Sequence, residues 1–287
     1  MLINSIDTLK KYIPTVVGSD IDRYSPFLQT AEEYLASDLI GEDLVNSLII
    51  QEDYEVGVVG SANDLKLVRY CEAIICLKAY LDAIPMLDLV ETETGFGVVS
   101  NGNIAPASQQ RVASLAAGIE KRLTDAIEQL LEYLEGNENY YDPWKYAKAY
   151  TINHESYIFT LKEFRRYARY DGSRLEWIKD MPKVTQAIRL NIEPVISPEL
   201  SAVIIEELQD DDMGEANKLI IEDLRFSLAA YVTGNDAVAQ SSLARVRRRL
   251  IDNVDDYPEF KTSEQYTAYL AQTDTYSTDQ TIASFGV

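Results

Sequence analysis

The sequence contains an internal repeat, and a duplicated sequence predicts a duplicated structure. Residues 3–12 and 158–167 each place a hydroxyl residue at a helix N-cap, an acid in the first turn, and then an apolar residue, two basic residues and a tyrosine. Three more pairs of segments match in the same order: 43–49 with 199–205, 77–80 with 228–231, and 119–123 with 246–250. The sequence therefore predicts two tandem, related modules.

Both modules show the apolar period of amphipathic helices. In the first module, the apolar residues that recur at intervals of three or four are Val112, Leu115, Ile119, Leu123, Ile127, Leu130 and Leu134. Their counterparts in the second module are Leu243, Val246, Leu250 and Val254. The pattern predicts an all-α fold of two tandem helical bundles, one over residues 1–136 and the other over 156–260.

The first module contains an insertion, because the spacing between matched segments drops by 24 residues between the third and fourth pairs. The insertion lies at about 87–108, where Val, Thr and Gly alternate in a way that predicts a β-ribbon or an ordered loop. Its apolar side chains need cover, and burial of each is worth about 1.5–3 kcal/mol. We therefore expect the insertion to be an assembly element, with Phe96, Val98, Val99 and Ile104 as candidates for a partner interface.

Two further segments differ in composition from the helical modules. Residues 137–155 are rich in aromatic residues and are predicted to be a linker between the modules. Tyr140, Tyr141 and Trp144 either pack the two modules together or form a hot spot for a partner. Residues 261–287 are rich in Thr, Ser, Gln and Asp, which predicts an extended or disordered tail that a partner orders.

The charge of the chain narrows the choice of partner. Lys and Arg number 26 against 47 Asp and Glu, giving a formal net charge of −21. Sequence-specific binding to nucleic acid and binding to an anionic membrane both need a basic surface, so neither is expected. The one dense basic run is Arg247-Arg248-Arg249. It either balances neighbouring acids or docks on an acidic face of another subunit, and this makes Arg247 and Arg248 interface candidates.

No catalytic or metal-binding pattern is recognised. One histidine and two cysteines leave little for histidine-based catalysis or a His/Cys metal site. His154 is expected in a loop without a catalytic role, and Asp210–Asp212 lacks the ligand spacing of a calcium loop. Cys71 and Cys76 are predicted on different faces of one helix, too far apart for a disulfide. We expect a protein that is not an enzyme, with no cofactor and no metal.

The start of the chain has no secretory signal, and no stretch is long and apolar enough for a membrane span. The two cysteines, predicted to be small buried thiols, suit a reducing compartment. A cytoplasmic location is therefore expected.

The inserted segment also resembles known proteins. The stretch Gly95-Phe96-Gly97-Val98-Val99-Ser100-Asn101, together with Asn103-Ile104-Ala105-Pro106-Ala107-Ser108, is similar to a segment of uncharacterised proteins encoded in Bacteroidales genomes and their prophages. The helix order of each half resembles the small head-completion or head-to-tail connector proteins of tailed phages, which build rings below the portal.

The resemblance implies a non-enzymatic virion protein that assembles with itself and with portal and tail components, and it supplies no catalytic residues. The internal repeat departs from single-module connectors, so a ring with one module per position is not expected to apply unchanged. If the protein is phage-encoded, it would end up in a virion. The competing hypothesis is a soluble bacterial adaptor or regulatory protein of helical fold.

Overall fold

The computed structural model describes residues 1–52, 62–87, 89–92, 95–98, 107–137 and 140–272, with the backbone alone at 49–52, 62–63, 89–92 and 95–98. The described residues are mainly helical, so the predicted all-α class is confirmed. Backbone contacts divide the chain into unit 1, Met1–Thr151 with Ser173–Leu175, and unit 2, which comprises Ile152–Gly172 and the chain from Glu176 onward. The division between Thr151 and Ile152 falls inside the segment predicted as a linker.

Unit 1 is a helical bundle. Among its described residues the α-helices are α1 (Ile6–Tyr12), α2 (Ser25–Tyr34), α3 (Glu42–Glu52), α4 (Ala62–Ala83), α5 (Gln109–Glu135) and α6 (Lys148–Thr151). Helix α2 continues as a π-helix over Leu35–Ile40, and 3₁₀ turns lie at Ile84–Met86 and Asp142–Tyr146. Helix α4 packs against α2 and α5. Because α4 is apolar on most sides, its side chains fill the centre of the unit, as the complete burial of Leu67, Cys71 and Ile74 illustrates.

The insertion forms an antiparallel ribbon between α4 and α5. Strand β1 (Leu89–Thr92) pairs with β2 (Gly95–Val98), with Leu89 opposite Val98 and Thr92 opposite Gly95. The remainder of the predicted insertion includes residues 99–106, which lie outside the described residues. Helix α5 begins directly after Ser108, so the ribbon lies on the chain between the two longest helices of unit 1.

Unit 2 is a second helical bundle. Its described α-helices are α7 (Leu161–Phe164), α8 (Arg174–Ala187), α9 (Glu193–Ile196), α10 (Pro198–Gln209), α11 (Glu215–Lys218), α12 (Ile221–Val232), α13 (Asp236–Asp252), α14 (Pro258–Lys261) and α15 (264–272). The first two residues of α8, Arg174 and Leu175, are grouped with unit 1. A π-helix joins α8 to α9 over Ile188–Ile192. Helices α12 and α13 pack together, and the core is built around large buried side chains such as Phe164 and Trp177, whose ring centres are 4.5 Å apart.

Helix α15 corrects the prediction of an extended or disordered tail over 261–287. The hydroxyl of Ser263 accepts a hydrogen bond from the Tyr266 backbone N–H at 3.2 Å, as an N-cap does. The Tyr266 ring then packs on Phe260 with ring centres 5.5 Å apart. This cap and this aromatic contact accompany a helix that runs to residue 272. Residues 273–287 lie outside the described part of the chain.

The elements of unit 2 follow the same order as those of unit 1. Each unit starts with a short helix capped by a hydroxyl: Ser5 accepts from the Asp7 N–H at 3.2 Å, and Thr160 accepts from the Glu163 N–H at 3.1 Å. Each then has a helix that runs into a π-helix, a residue of positive φ, another helix, and two long helices that pack together. Superposition of the two backbones stays the test of the predicted duplication.

Candidate interaction surfaces

The ribbon candidates are only partly within the described residues. Phe96 and Val98 lie on β2, where the backbone alone is described, and Val99 and Ile104 lie outside the described residues. Phe96 and Val98 are separated by two positions, so the alternation of a strand places them on the same face of the ribbon. Their role in an interface stays a prediction.

The three aromatic candidates for a partner interface differ in exposure, and two of them are buried. Tyr141 and Trp144 are only 4% and 3% exposed, because the 3₁₀ turn at Asp142–Tyr146 directs them into unit 1. The Trp144 ring packs edge-on against Tyr150 with centres 4.9 Å apart, and burial raises the pKa of the Tyr141 hydroxyl. These two side chains belong to the core of unit 1 and are not free to bind a partner. Tyr140, at 50% exposed, keeps a surface position.

The basic run on α13 lies at the surface of unit 2, but its three arginines do different things. Arg248 is 85% exposed and makes one long ion pair, 3.5 Å from Asp252. Arg249 donates a hydrogen bond to the backbone carbonyl of Leu219 at 2.8 Å, which fixes it in place. One turn earlier, Arg245 pairs with Asp223. Among the described contacts of the run, the pairing with an acid is that of Arg248, and it is long and exposed. Whether the run balances acids or docks on another subunit stays a prediction.

Arg247 has a different environment from Arg248, since successive helical residues point about 100° apart. Its guanidinium carbon lies 5.8 Å from the centre of the Tyr269 ring, within the range of a cation–π contact. It lines a shallow cavity of about 340 Å³ together with Pro194, Phe260 and Tyr269. Arg247 is exposed, and the carboxylate-bearing residue Glu264 lines the same cavity. We name Arg247 and Arg248 together the arginine face.

Two open grooves occupy corresponding positions in the two units, and the sequence analysis missed both. Groove 1, of about 630 Å³, lies in unit 1 between α2 with its π-helix and α3. Groove 2, of about 480 Å³, lies in unit 2 beside α8, its π-helix and α10. Seven lining positions of groove 1 have a partner 156 residues later in groove 2: Gln29/Thr185, Glu32/Ile188, Glu33/Arg189, Ser37/Glu193, Glu42/Pro198, Val45/Ser201 and Asn46/Ala202. The signal available in the sequence was the equal spacing of the 43–49 and 199–205 segments.

The structure also gives positions for the chemistry-bearing residues singled out in the sequence. His154 lies in a 3₁₀ turn and stacks on Phe159 with ring centres 4.2 Å apart. Asp210–Asp212 form an exposed loop, in which Asp211 has φ 53°. Within the described ranges, no group of three or more His, Cys, Asp or Glu side chains is arranged to hold a metal ion. Nor does any described helix combine the length and hydrophobicity needed to cross a bilayer.

Both cysteines are free thiols in the core of unit 1. Cys71 and Cys76 are fully buried on α4. Burial, followed by the charge of the nearby Glu72, raises the pKa of Cys76 to about 12 and also raises the pKa of Cys71. The thiolate is the reactive form of cysteine, so both groups are inert in the folded chain.

We therefore expect iodoacetamide at about pH 8 to alkylate the folded chain at least about 100-fold more slowly than the unfolded chain. Mass spectrometry of samples quenched over time, with and without denaturant, measures the two rates. Rapid labelling of either cysteine in the folded protein would show that α4 opens locally.

The chain can now be compared with known proteins. The model of a family of unknown function, DUF6712, matches residues 36–154 and 225–269, which together are more than half of the chain. The comparisons with curated proteins and with solved structures gave no significant match. The first matched stretch runs from the π-helix of unit 1 to just beyond Thr151, and the second covers most of α12 and all of α13 with the arginine face. The chain therefore belongs to the DUF6712 family.

Proposed function

We propose that this protein is a non-enzymatic structural component of a phage or prophage particle, a head-to-tail connector that works through ring-type assembly. The observation that carries the proposal is the arginine face of α13. In a chain of net charge −21, two exposed arginines that are adjacent in sequence can form ion pairs with acidic residues of another copy. Complementary charge directs encounter and selects the correct partner surface.

A contact of this kind supports a ring because the two surfaces that meet are different. When an arginine face binds an acidic surface elsewhere on the next copy, the contact is head-to-tail, and such contacts generate rings when the rotation closes. The ribbon of β1 and β2 adds an element that can pair with a strand or loop of a neighbour. Portal and tail proteins are the proposed further partners, and the cytoplasm is the proposed location before assembly.

The test is whether the purified full-length chain forms rings. Mass photometry should detect a discrete oligomer, and negative-stain microscopy should show it as a ring. Raising the salt concentration should reduce the oligomer, since exposed charges are screened. A chain that stays monomeric at high micromolar concentration would contradict the proposal and favour the bacterial adaptor instead.

The ribbon's part in assembly is tested by replacing Phe96 and Val98 together with serine. We expect the oligomer to dissociate while the melting temperature and helical circular dichroism of the monomer change little, because the bundle core is built from α4 and α5. The matched control replaces Val17 and Leu65, which are 90% and 48% exposed on unit 1, with serine. The control should assemble as the unchanged chain does. Unfolding of the F96S/V98S monomer would instead make the ribbon part of the core.

A further inference from the structure

We propose that the loop over residues 165–171 of unit 2 is a binding site for a phosphate group. The loop begins where α7 ends, and its basic and aromatic residues are Arg165, Arg166, Arg169, Tyr167 and Tyr170. Its seven consecutive residues line an open cavity of about 710 Å³. The site includes no residue of the ribbon or of the arginine face, so it does not depend on the proposed assembly.

The loop is held in shape by one of its own arginines. The Arg165 guanidinium donates hydrogen bonds to the Tyr170 carbonyl at 3.2 Å and to the Gly172 carbonyl at 2.8 Å. The Tyr170 ring packs edge-on against Phe164, with ring centres 5.8 Å apart. Only a glycine fits at 172, because a Cβ there would lie 2.6 Å from the Tyr170 ring. Donors that are fixed in this way lose less freedom on binding a ligand, which favours affinity.

The positive charge of the loop exceeds that of the acids around it. The carboxylates on or beside the loop, each with its cation, are Asp171 with Arg169, Asp180 with Lys183, and Glu163 and Glu222 with Arg225. Arg165 donates to main-chain carbonyls alone, and Arg166 makes no hydrogen bond or ion pair within the described residues. One further acid, Glu176 on α8, lies close enough to act on Tyr170, and a single carboxylate does not cancel two guanidinium charges.

The corresponding stretch of unit 1 differs in both respects. At the offset of the matched segments, the three arginines correspond to Lys10, Lys11 and Pro14. Lys11 is paired with Glu72 at 3.3 Å, and proline in the third position supplies no charge. Unit 1 therefore has one basic side chain at this place without a described carboxylate, and it has no guanidinium. Its two lysines provide a matched control for the arginines of unit 2.

Phosphate matches the donors of this loop. A guanidinium binds phosphate through two parallel hydrogen bonds, and clusters of arginines recur in the recognition of phosphorylated ligands. The backbone N–H groups of residues 169–172 make no hydrogen bond within the described part of the chain, and such groups are a common component of anion sites. The cavity volume lies within the range of small-molecule sites, about 300–1,000 Å³. Inorganic phosphate and the phosphodiester of a nucleic acid present the same oxygens, so the experiment has an arm for each.

The experiment is calorimetric titration of the full-length chain at low salt, with inorganic phosphate in one arm and a short oligothymidylate in the other. The variant carries Arg166→Gln and Arg169→Gln, because both side chains are exposed and Arg165 is needed to hold the loop. The Kd for the probe that binds should rise at least about 10-fold, as expected for losing hydrogen bonds from a charged group. The control, Lys10→Gln with Lys11→Gln, removes the same charge from unit 1 and should bind as the unchanged chain does.

A second variant, Asp171→Asn, should change affinity in the opposite direction. It removes the one acid that lines the cavity and releases Arg169 from an exposed pair, so the Kd should fall about two- to five-fold. Circular dichroism melts establish that each variant is folded, and Arg166→Gln alone replaces the double variant if that one is not. Binding of neither probe to the unchanged chain would overturn the proposal, and so would an unchanged Kd in the folded arginine variant.

Discussion

Replacing Arg174 with methionine is expected to lower the free energy of unfolding by about 3–5 kcal/mol, as removal of one partner from a buried ion pair does. The Arg174 side chain is 7% exposed and lies within unit 1. It binds Glu135 through two nitrogens, at 3.1 and 3.0 Å, and Glu128 through a third at 2.5 Å. Methionine preserves much of the volume but leaves two partly buried carboxylates without their cation.

The stability that R174M loses should depend on pH, and the direction of that dependence follows from the pKa of Glu135. Burial raises the pKa of Glu135, while the hydrogen bonds and charge of Arg174 oppose that rise. Without Arg174, the pKa of Glu135 in the folded chain rises further above its value in the unfolded chain. The folded state then binds more protons between those two pKa values, so its stability falls as the pH rises through that window. The R174M variant should therefore lose less stability at about pH 5 than at about pH 7.5.

Urea unfolding at both pH values measures the effect, with R169M as the matched control. Arg169 also pairs with a carboxylate, Asp171 at 3.1 Å, but its side chain is 87% exposed. An ion pair this exposed contributes little to stability, so R169M should change the free energy of unfolding little at either pH. Equal losses for R174M and R169M would mean that Arg174 is solvated and that burial does not govern its contribution.

The stripe on α5 could be predicted from the sequence, and the ion pairs of Arg174 could not. The stripe on α5 was predictable because its period is local, and the burial of Ile119, Ile127 and Leu134 follows from that period alone. Arg174 and its two partners are separated by 39 and 46 positions, and nothing local relates them. Ion pairs of this kind depend on the packing of whole elements.

The aromatic segment illustrates a second limit on what the sequence alone can predict. Tyr140, Tyr141 and Trp144 have the same composition signal, yet Tyr140 is half exposed and the other two are buried. Tyr140 and Tyr141 precede the 3₁₀ turn that contains Trp144, outside any regular helix, so no period assigns each ring to the core or to solvent. The grooves lie beside π-helices, whose i→i+5 hydrogen bonds interrupt the apolar period of an α-helix, so the equal spacing of two matched segments was the available sign of them.

Substitutions at Gly41 and at Ser197 are expected to change the free energy of unfolding in opposite directions. Both residues end the helical run that contains the π-helix, and they have nearly the same backbone, φ 88° with ψ 148° at Gly41 and φ 83° with ψ 148° at Ser197. This region of the backbone map is essentially restricted to glycine, and a side chain there costs about 1–3 kcal/mol. Unit 1 thus has the suitable residue, and unit 2 has a strained one.

We expect Gly41→Ala to lower the free energy of unfolding by about 1–3 kcal/mol. A Cβ at Gly41 would lie 3.5 Å from the Ala147 Cβ, an ordinary contact, so the loss would come from the backbone conformation and not from a clash. Ser197→Gly should instead raise the free energy of unfolding by about 1 kcal/mol, because the strain is relieved. Its hydroxyl accepts the Leu200 N–H at 3.2 Å, and a glycine at an N-cap costs only a few tenths of a kcal/mol.

The variant Ser197→Ala separates the two contributions at this position. It removes the cap but keeps the Cβ and its strain, so it should lose about 1 kcal/mol, the usual cost of deleting an N-cap hydroxyl. Thermal and urea melts of the three variants should therefore rank Ser197→Gly above the unchanged chain, and Ser197→Ala and Gly41→Ala below it. If Ser197→Gly is destabilised as much as Ser197→Ala, the hydroxyl outweighs the strain. The positive φ at Ser197 would then be tolerated because its cap to α10 holds the chain at the edge of groove 2.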